Sequence, residues 1–347
     1  MNVKFFVLFI TISWHLTVAC TIFSLQDGDR VFVGKNFDWP IDDGLICLNP
    51  SGIQKSGLRQ ERSDAIRWVS TYGSISFNQF GLEFPLGGMN EAGLVIEEAS
   101  YSLSRYPDWN SVATLNEFQW IQYCLDTKAT VPELIRSLSE IGIKPLFIRL
   151  HYFVCDLFGA CVIIEFIDGE LKIYSGESLP KPVLTNNSYE NSLDYLRRHA
   201  GYGGNLPIRT GPESPVRFVR TTVLLDSLVN EKTIDQSDVF SILESVKQND
   251  TQWQIVYDPG TMSVHYRTHN ILQQQICLSD WNYKIEQPMI KKLGMSGPFR
   301  ELTSDFAIAY LNEVFGQYVS LGELSVTESD EFQLHFSDYI LNLYKSK

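Results

Sequence analysis

Strands towards both ends of the chain, with two pairs of helices between them, predict an α+β protein in which two packed sheets are covered by helices, an αββα four-layer sandwich. Three observations carry this reading. β-prone runs recur at 21–25, 30–33, 45–48, 68–77 and 94–98, and again at 254–257, 263–267 and 271–278. Helically spaced apolar residues fill 115–125, 132–141, 216–228 and 234–246. Between the helix pairs lie three further strands, 150–155, 161–167 and 170–174, separated by the turns D-L-F-G and I-D-G. This pattern leaves the strand order within each sheet open.

The chain starts as a signal peptide. Lys4 precedes an apolar run at 5–14, and the small residues Thr17 and Ala19 stand three and one before Cys20. The run is too short to span a bilayer. A cut before Cys20 leaves residues 20–347, which no Pro/Gly/Ser linker, low-complexity tract or fixed-period repeat divides, so they are read as one domain. The protein is then expected to be exported, periplasmic or secreted. Lipidation of Cys20 is the competing reading, although Thr17 and Val18 stand where a lipoprotein signal carries a Leu-like and a small residue. A cut elsewhere, or a retained anchor, would leave Cys20 an ordinary residue.

After Cys20, the Q-D-G-D turn between 21–25 and 30–33 predicts a hairpin that carries 34–39 back past the new chain end. G-G-M-N-E-A-G at 87–93 reads as a turn before the 94–98 strand. Leu134, Ile135, Leu138 and Ile141 sit at helical spacing behind a Pro at 132. After the three-stranded meander, V-L-T-N-N-S at 183–188 leads into a helix at 189–199 and a Gly/Pro-rich loop at 201–215. The tail reads as helices at 304–315 and 332–344 around a polar stretch.

Composition bounds the function. Apolar content of 44% and aromatic content of 13% supply a large core, and a net charge of −13 argues against a nucleic-acid or anionic-membrane partner. The six cysteines form no C-x-x-C pair, and no metal site or other cofactor is expected. Export would permit disulfides, and Cys155 and Cys161 flank a tight turn that would let facing strands bring them together. Cys124 falls on the apolar face of a helix. With Cys20 reduced, five cysteines remain, so at least one more thiol is unpaired.

An amino-terminal cysteine has a definite chemistry. Thiolate attack on an amide carbonyl needs a base for the thiol proton and an acid for the leaving amine. A free thiol titrates at about 8.5 and an α-amine at about 7.7 to 8.0, so the amine of a freed Cys20 can serve its own thiol. The hairpin returns Lys35 towards residue 20, where a cation would stabilise the thiolate, and Asp38 could orient the amine.

Cys-Thr directly after a cut, followed by G-K-N-F-D-W at 34–39, resembles the choloylglycine hydrolases, which include bile salt hydrolases and penicillin V acylases. Four further stretches are similar to that family in the same order: G-G-M-N-E-A-G-L at 87–94, the D-x-x-G-x-x-x-x-I-E-F hairpin of 156–166, V-L-T-N-N-S at 183–188 and S-P-V-R-F-V-R at 214–220. The resemblance implies an αββα fold of the N-terminal-nucleophile hydrolases. It also implies roles: Cys20 as nucleophile, Asp38 as the carboxylate that positions its amine, Asn186 as a side-chain donor to the oxyanion, and Arg217, in preference to Arg220, as the active-site arginine. Ser100 or Tyr101 falls at a second position that contacts substrate.

Two departures stand out. Lys35 occupies the place where the family usually carries Arg, which keeps the charge and loses the planar fork. The loop after Trp39 is short and acidic, with Asp42 and Asp43, and matches no bile-acid pocket. The expected activity is hydrolysis of a linear N-acyl amide with an apolar or aromatic acyl part, on a substrate such as penicillin V or an N-acyl homoserine lactone. The alternatives are a conjugated bile salt hydrolase, a ceramidase-like lipid amidase, and a non-catalytic lipid-anchored protein acylated at Cys20. The expected partner is the small-molecule substrate; homo-oligomerisation is left open.

Overall fold

The opening hairpin forms as the β-prone runs around Q-D-G-D predict and runs further. In the computed structural model, which describes residues 19–58, 66–109, 112–228, 234–285 and 287–344, Thr21–Asp27 pairs antiparallel with Arg30–Asp38, and Asp27 lies opposite Arg30. Gly28 turns the chain at φ +59°, a conformation that costs glycine little. The second strand continues through G-K-N-F-D, so these residues are themselves sheet. Of the expected leader, only Ala19 falls among the described residues.

Two antiparallel sheets dominate. The first is six-stranded, in the order Val183–Leu184, Thr21–Asp27, Arg30–Asp38, Thr251–Asp258, Ser263–Thr268, Gln274–Cys277. The second is nine-stranded, running Glu170–Ser175, Cys161–Ile167, Leu150–Cys155, Val95–Ser100, Pro85–Asn90, Ser74–Asn78, Leu45–Asn49, Met289–Lys292, Arg300–Glu301. Their facing surfaces meet through Tyr257 and Tyr266 of the first sheet, both edge-on to Phe77 of the second, and through ion pairs from Lys35 to Glu97 and Glu98.

Helices cover the outer faces. Gln236–Ser245 lies on the first sheet, where Asn36 donates to the Leu243 carbonyl at 2.8 Å and the bare Cα of Gly34 leaves room for Val239. Ser214–Leu228 packs beside it. Glu117–Thr127 covers the second sheet: Leu125 fills the space over Gly88, and Asn90 donates to the Leu125 and Lys128 carbonyls at 2.8 and 2.7 Å. Asn116 caps that helix by accepting from the Phe118 and Gln119 amides, the arrangement an N-cap side chain makes to satisfy free amides. The result is the αββα sandwich that the element order predicts.

Several boundaries differ from expectation. G-G-M-N is strand, with the turn confined to 91–93, because these glycines serve close approach: a Cβ on Gly87 would collide with the Glu97 carboxylate, and one on Gly88 with the Ile75 carbonyl. The 68–77 run divides into Arg67–Val69, paired with Gln54–Ser56, and Ser74–Asn78 in the large sheet. The 132–141 helix stops at Ser137, and Ile141–Ile143 pairs in parallel with Ala113–Leu115. The tail is more helical than its polarity suggests: Ser304–Ser320 and Val326–Tyr344 leave only a short turn between them. Cys155 and Cys161 lie directly opposite in the meander and form a disulfide. Cys20, Cys47, Cys124 and Cys277 are free.

Candidate active site

The first strand of the small sheet begins beside Cys20, which is 1% exposed. Arg217 reaches it from the Ser214–Leu228 helix. This guanidinium, also 1% exposed, donates through Nη1 to the Cys20 carbonyl at 2.6 Å and to Thr21 Oγ1 at 2.5 Å, through Nη2 to Asn186 Oδ1 at 2.8 Å, and through Nε to the Pro212 carbonyl at 3.0 Å. Four acceptors take four of the five N–H donors of the fork and set its plane. Arg220, one turn on, is half-buried, with no partner at Nε, so the helix presents Arg217 rather than Arg220 to Cys20.

The contact from Arg217 also settles which end of the Asn186 amide is which. Its oxygen accepts from the guanidinium, so its nitrogen must be the end that donates, at 3.0 Å, to the Ser100 carbonyl. One amide N–H is thereby used, and the second is free to serve a further acceptor. Ser188, two residues on, caps the Tyr189–Leu196 helix, so Asn186 precedes the helix without capping it. Glu165 receives the Tyr189 amide on both oxygens, at 3.0 and 3.1 Å, and holds His151 at 2.8 Å.

Asp38 is fully buried at the end of the second strand. Thr251 donates to its Oδ1, whereas Oδ2 has no hydrogen-bond partner. Burial pushes this carboxyl up to about 7, against the pull of Arg217, Thr251 and Lys35. An orphaned carboxylate oxygen in a dry site is costly unless something ionic or polar meets it.

Lys35 lies opposite Ile22, one residue pair from the chain's first strand residue. Its ammonium has three acceptors: the Glu97 carboxylate at 3.0 Å, the Glu98 carboxylate at 3.5 Å and the Glu98 carbonyl. An ammonium has three protons, so this enclosure matches Lys donor for acceptor. Tyr257 donates to Glu97 at 2.5 Å. Burial raises both carboxyls, and Lys35 opposes the rise. Burial likewise pushes the Cys20 thiol up to about 12, with Lys35 as the largest opposing influence, so the thiol holds its proton while its nitrogen is an amide.

The structure therefore gathers Cys20, Lys35, Asp38, Asn186 and Arg217 around one strand end, with the Ser100 carbonyl against Asn186. The Tyr101 ring stacks on His151 at 5.3 Å. Glu97, Glu98, Thr251 and Tyr257 escape the sequence reading. An acidic pair inside a strand bounded by apolar residues, V-I-E-E-A, is the available signal, since a buried carboxylate requires a partner.

Beside the Lys35–Glu98 pair lies an aromatic cavity. Phe37, Trp39, Phe80, Phe118 and Phe147 line it with Glu98 and Gln79, and Phe37 stacks on Trp253 at 4.1 Å. Such a wall suits an apolar or aromatic group.

Comparison with known proteins gives this arrangement its context. A penicillin V acylase of Pectobacterium atrosepticum is 27% identical over 246 residues, which is 65% of this chain and 64% of the length of that relative. The solved penicillin V acylase of Agrobacterium tumefaciens superposes with a TM-score of 0.69 at 23% identity, over 82% of this chain and 98% of its own. A mutant form of the conjugated bile acid hydrolase of Clostridium perfringens gives 0.66 at 17%, over 80% and 97%. At these identities the two structures show a shared fold. The model of the linear amide C–N hydrolases, choloylglycine hydrolase family, matches residues 20–275, and the chain belongs to that family.

Proposed function

We propose that the protein is exported, cut before Cys20, and hydrolyses a linear N-acyl amide through a Cys20 thioester. The observation that carries this reading is the Arg217 clamp, which joins the Cys20 carbonyl to Asn186 within one guanidinium. The cut turns the Cys20 nitrogen into an amine. Protonated, it supplies the cation that Asp38 Oδ2 lacks; neutral, it accepts the thiol proton. The thiolate then attacks the amide carbonyl, and the spare Asn186 N–H meets the oxygen as charge develops there. Collapse breaks the C–N bond, the ammonium protonates the leaving amine, and water activated by the same amine cleaves the thioester.

The acyl part is apolar or aromatic, in keeping with the cavity wall, which favours penicillin V or an N-acyl homoserine lactone among the substrates that the family suggests. Mass spectrometry of the mature chain should give a free Cys20 amino terminus, and a diacylglycerol adduct would overturn the enzyme reading. Cys20→Ser should abolish amine release from a panel of N-acyl amides without changing the melting temperature. Full retained activity would remove Cys20 as nucleophile.

A further inference from the structure

The family model ends at residue 275, and the helix pair Ser304–Ser320 and Val326–Tyr344 lies beyond it. This pair packs against the back of the aromatic cavity. Tyr318 accepts from Trp39 Nε1 at 2.8 Å and donates to Gln79 at 2.7 Å, and its ring stacks on Phe80 at 5.7 Å. Phe332 lies 4.5 Å from the Phe147 ring. The acidic loop after Trp39 is tied to the same helices: Gln317 donates to Asp43, and Lys292 bridges Asp43 and Glu313 at 3.0 and 2.9 Å.

The cavity is about 10 Å³, room for about one water. A phenyl or alkyl group enters only if wall rings move. Trp39 and Gln79 are held by hydrogen bonds to Tyr318, whereas the Phe80 and Phe147 rings are held by packing. Behind Phe147 stands Phe332, which is only partly buried, so that corner can yield towards solvent at least cost.

We infer that the C-terminal helix pair is the back wall of the acyl pocket and that Phe332, through Phe147, sets the length of acyl group accepted. This deepens the amide-hydrolase reading and rests on it. With the Phe80 and Phe147 rings displaced, the wall favours compact or single-ring acyl groups over long chains.

The test compares kcat/KM of the mature full-length enzyme on phenylacetyl and decanoyl amides of one chromogenic amine. Phe332→Ala should raise the decanoyl-to-phenylacetyl ratio by about tenfold, the scale on which an apolar pocket resolves added methylenes. Phe332→Trp should lower it. Leu334→Ala, at a site 66% exposed on the same helix, should leave it unchanged. Should Phe332→Ala fold poorly, Phe332→Leu should give a smaller rise in the same direction. Unchanged ratios in folded Phe332 variants overturn the wall assignment while amide hydrolysis stands. A wild type that releases amine from neither substrate overturns the hydrolase reading, and the wall assignment with it.

Discussion

Two buried ionic clusters in this molecule have the same balance of charges and different surroundings. Around Lys55, Glu83 lies at 2.9 Å and Asp126 at 3.1 Å; around Lys35, Glu97 lies at 3.0 Å and Glu98 at 3.5 Å. Each sets one ammonium against two carboxylates. The Lys55 cluster has three neutral donors besides: Trp68 and Gln122 on Asp126, at 2.7 and 2.8 Å, and Tyr344 on Glu83 at 2.5 Å. It ties the paired strands Gln54–Ser56 and Arg67–Val69 and the C-terminal helix to the core. The Lys35 cluster has Tyr257 on Glu97 and the Cys20 thiol within its field. A cluster braced by several neutral donors holds a fold together, whereas one that lends its charge to a reactive neighbour also governs that neighbour's proton.

The comparison breaks most sharply if each lysine is removed. Lys55→Met and Lys35→Met should each cost about 3–5 kcal/mol of stability, measured by urea unfolding, since each strands two buried carboxylates. Only Lys35→Met should also raise the pH at which mature Cys20 reacts with iodoacetamide. Equal shifts in both variants would dissolve the distinction.

Asn186→Ala separates rate from stability at the other end of the site. It should cut kcat about 10²- to 10³-fold, or about 2.7–4 kcal/mol, as loss of an oxyanion donor does, with little change in melting temperature. A large fall in melting temperature with kcat preserved would make Asn186 a structural linker between Ser100 and Arg217.

A more gradual effect is a pH slope. The Asp38 carboxyl titrates at about 7 in the uncut fold, above the value of about 3.9 expected when unfolded. Between these values the folded chain holds a proton that the unfolded chain has lost, so stability falls as pH rises from about 4 to 7 and levels beyond. Melting temperatures of a chain retaining Ala19 should show this slope, and Asp38→Asn should flatten it. In the cut chain the Cys20 ammonium lowers the Asp38 pKa, so the slope should shrink there too. A slope that survives Asp38→Asn belongs to another group.

Much of this architecture is written locally. The hairpin at 21–38 follows from β-prone runs around Q-D-G-D, and the meander from three strands around two short turns. Segments that bear on Cys20 are legible because short motifs surround them. What escapes depends on distant partners. Nothing near Lys35 announces Glu97 and Glu98, some sixty residues on, and the glycines of G-G-M-N look like a turn until the strand beside them is known. The tail helices read shorter than they are because Gly316 and the polar residues around 326–331 weaken a pattern that packing against Phe80, Phe84 and Phe147 sustains.

Chain ends ordinarily fray, because nothing holds their last residues. Here the carbonyl and hydroxyl on either side of the Cys20–Thr21 bond are already gripped by Arg217, and Thr21 is already paired with Asn36 in the sheet. A protease that severs the bond before Cys20 would therefore release an end with almost no freedom to gain. On the proposed cut, maturation would change the chemistry of one nitrogen and leave the fold where it was.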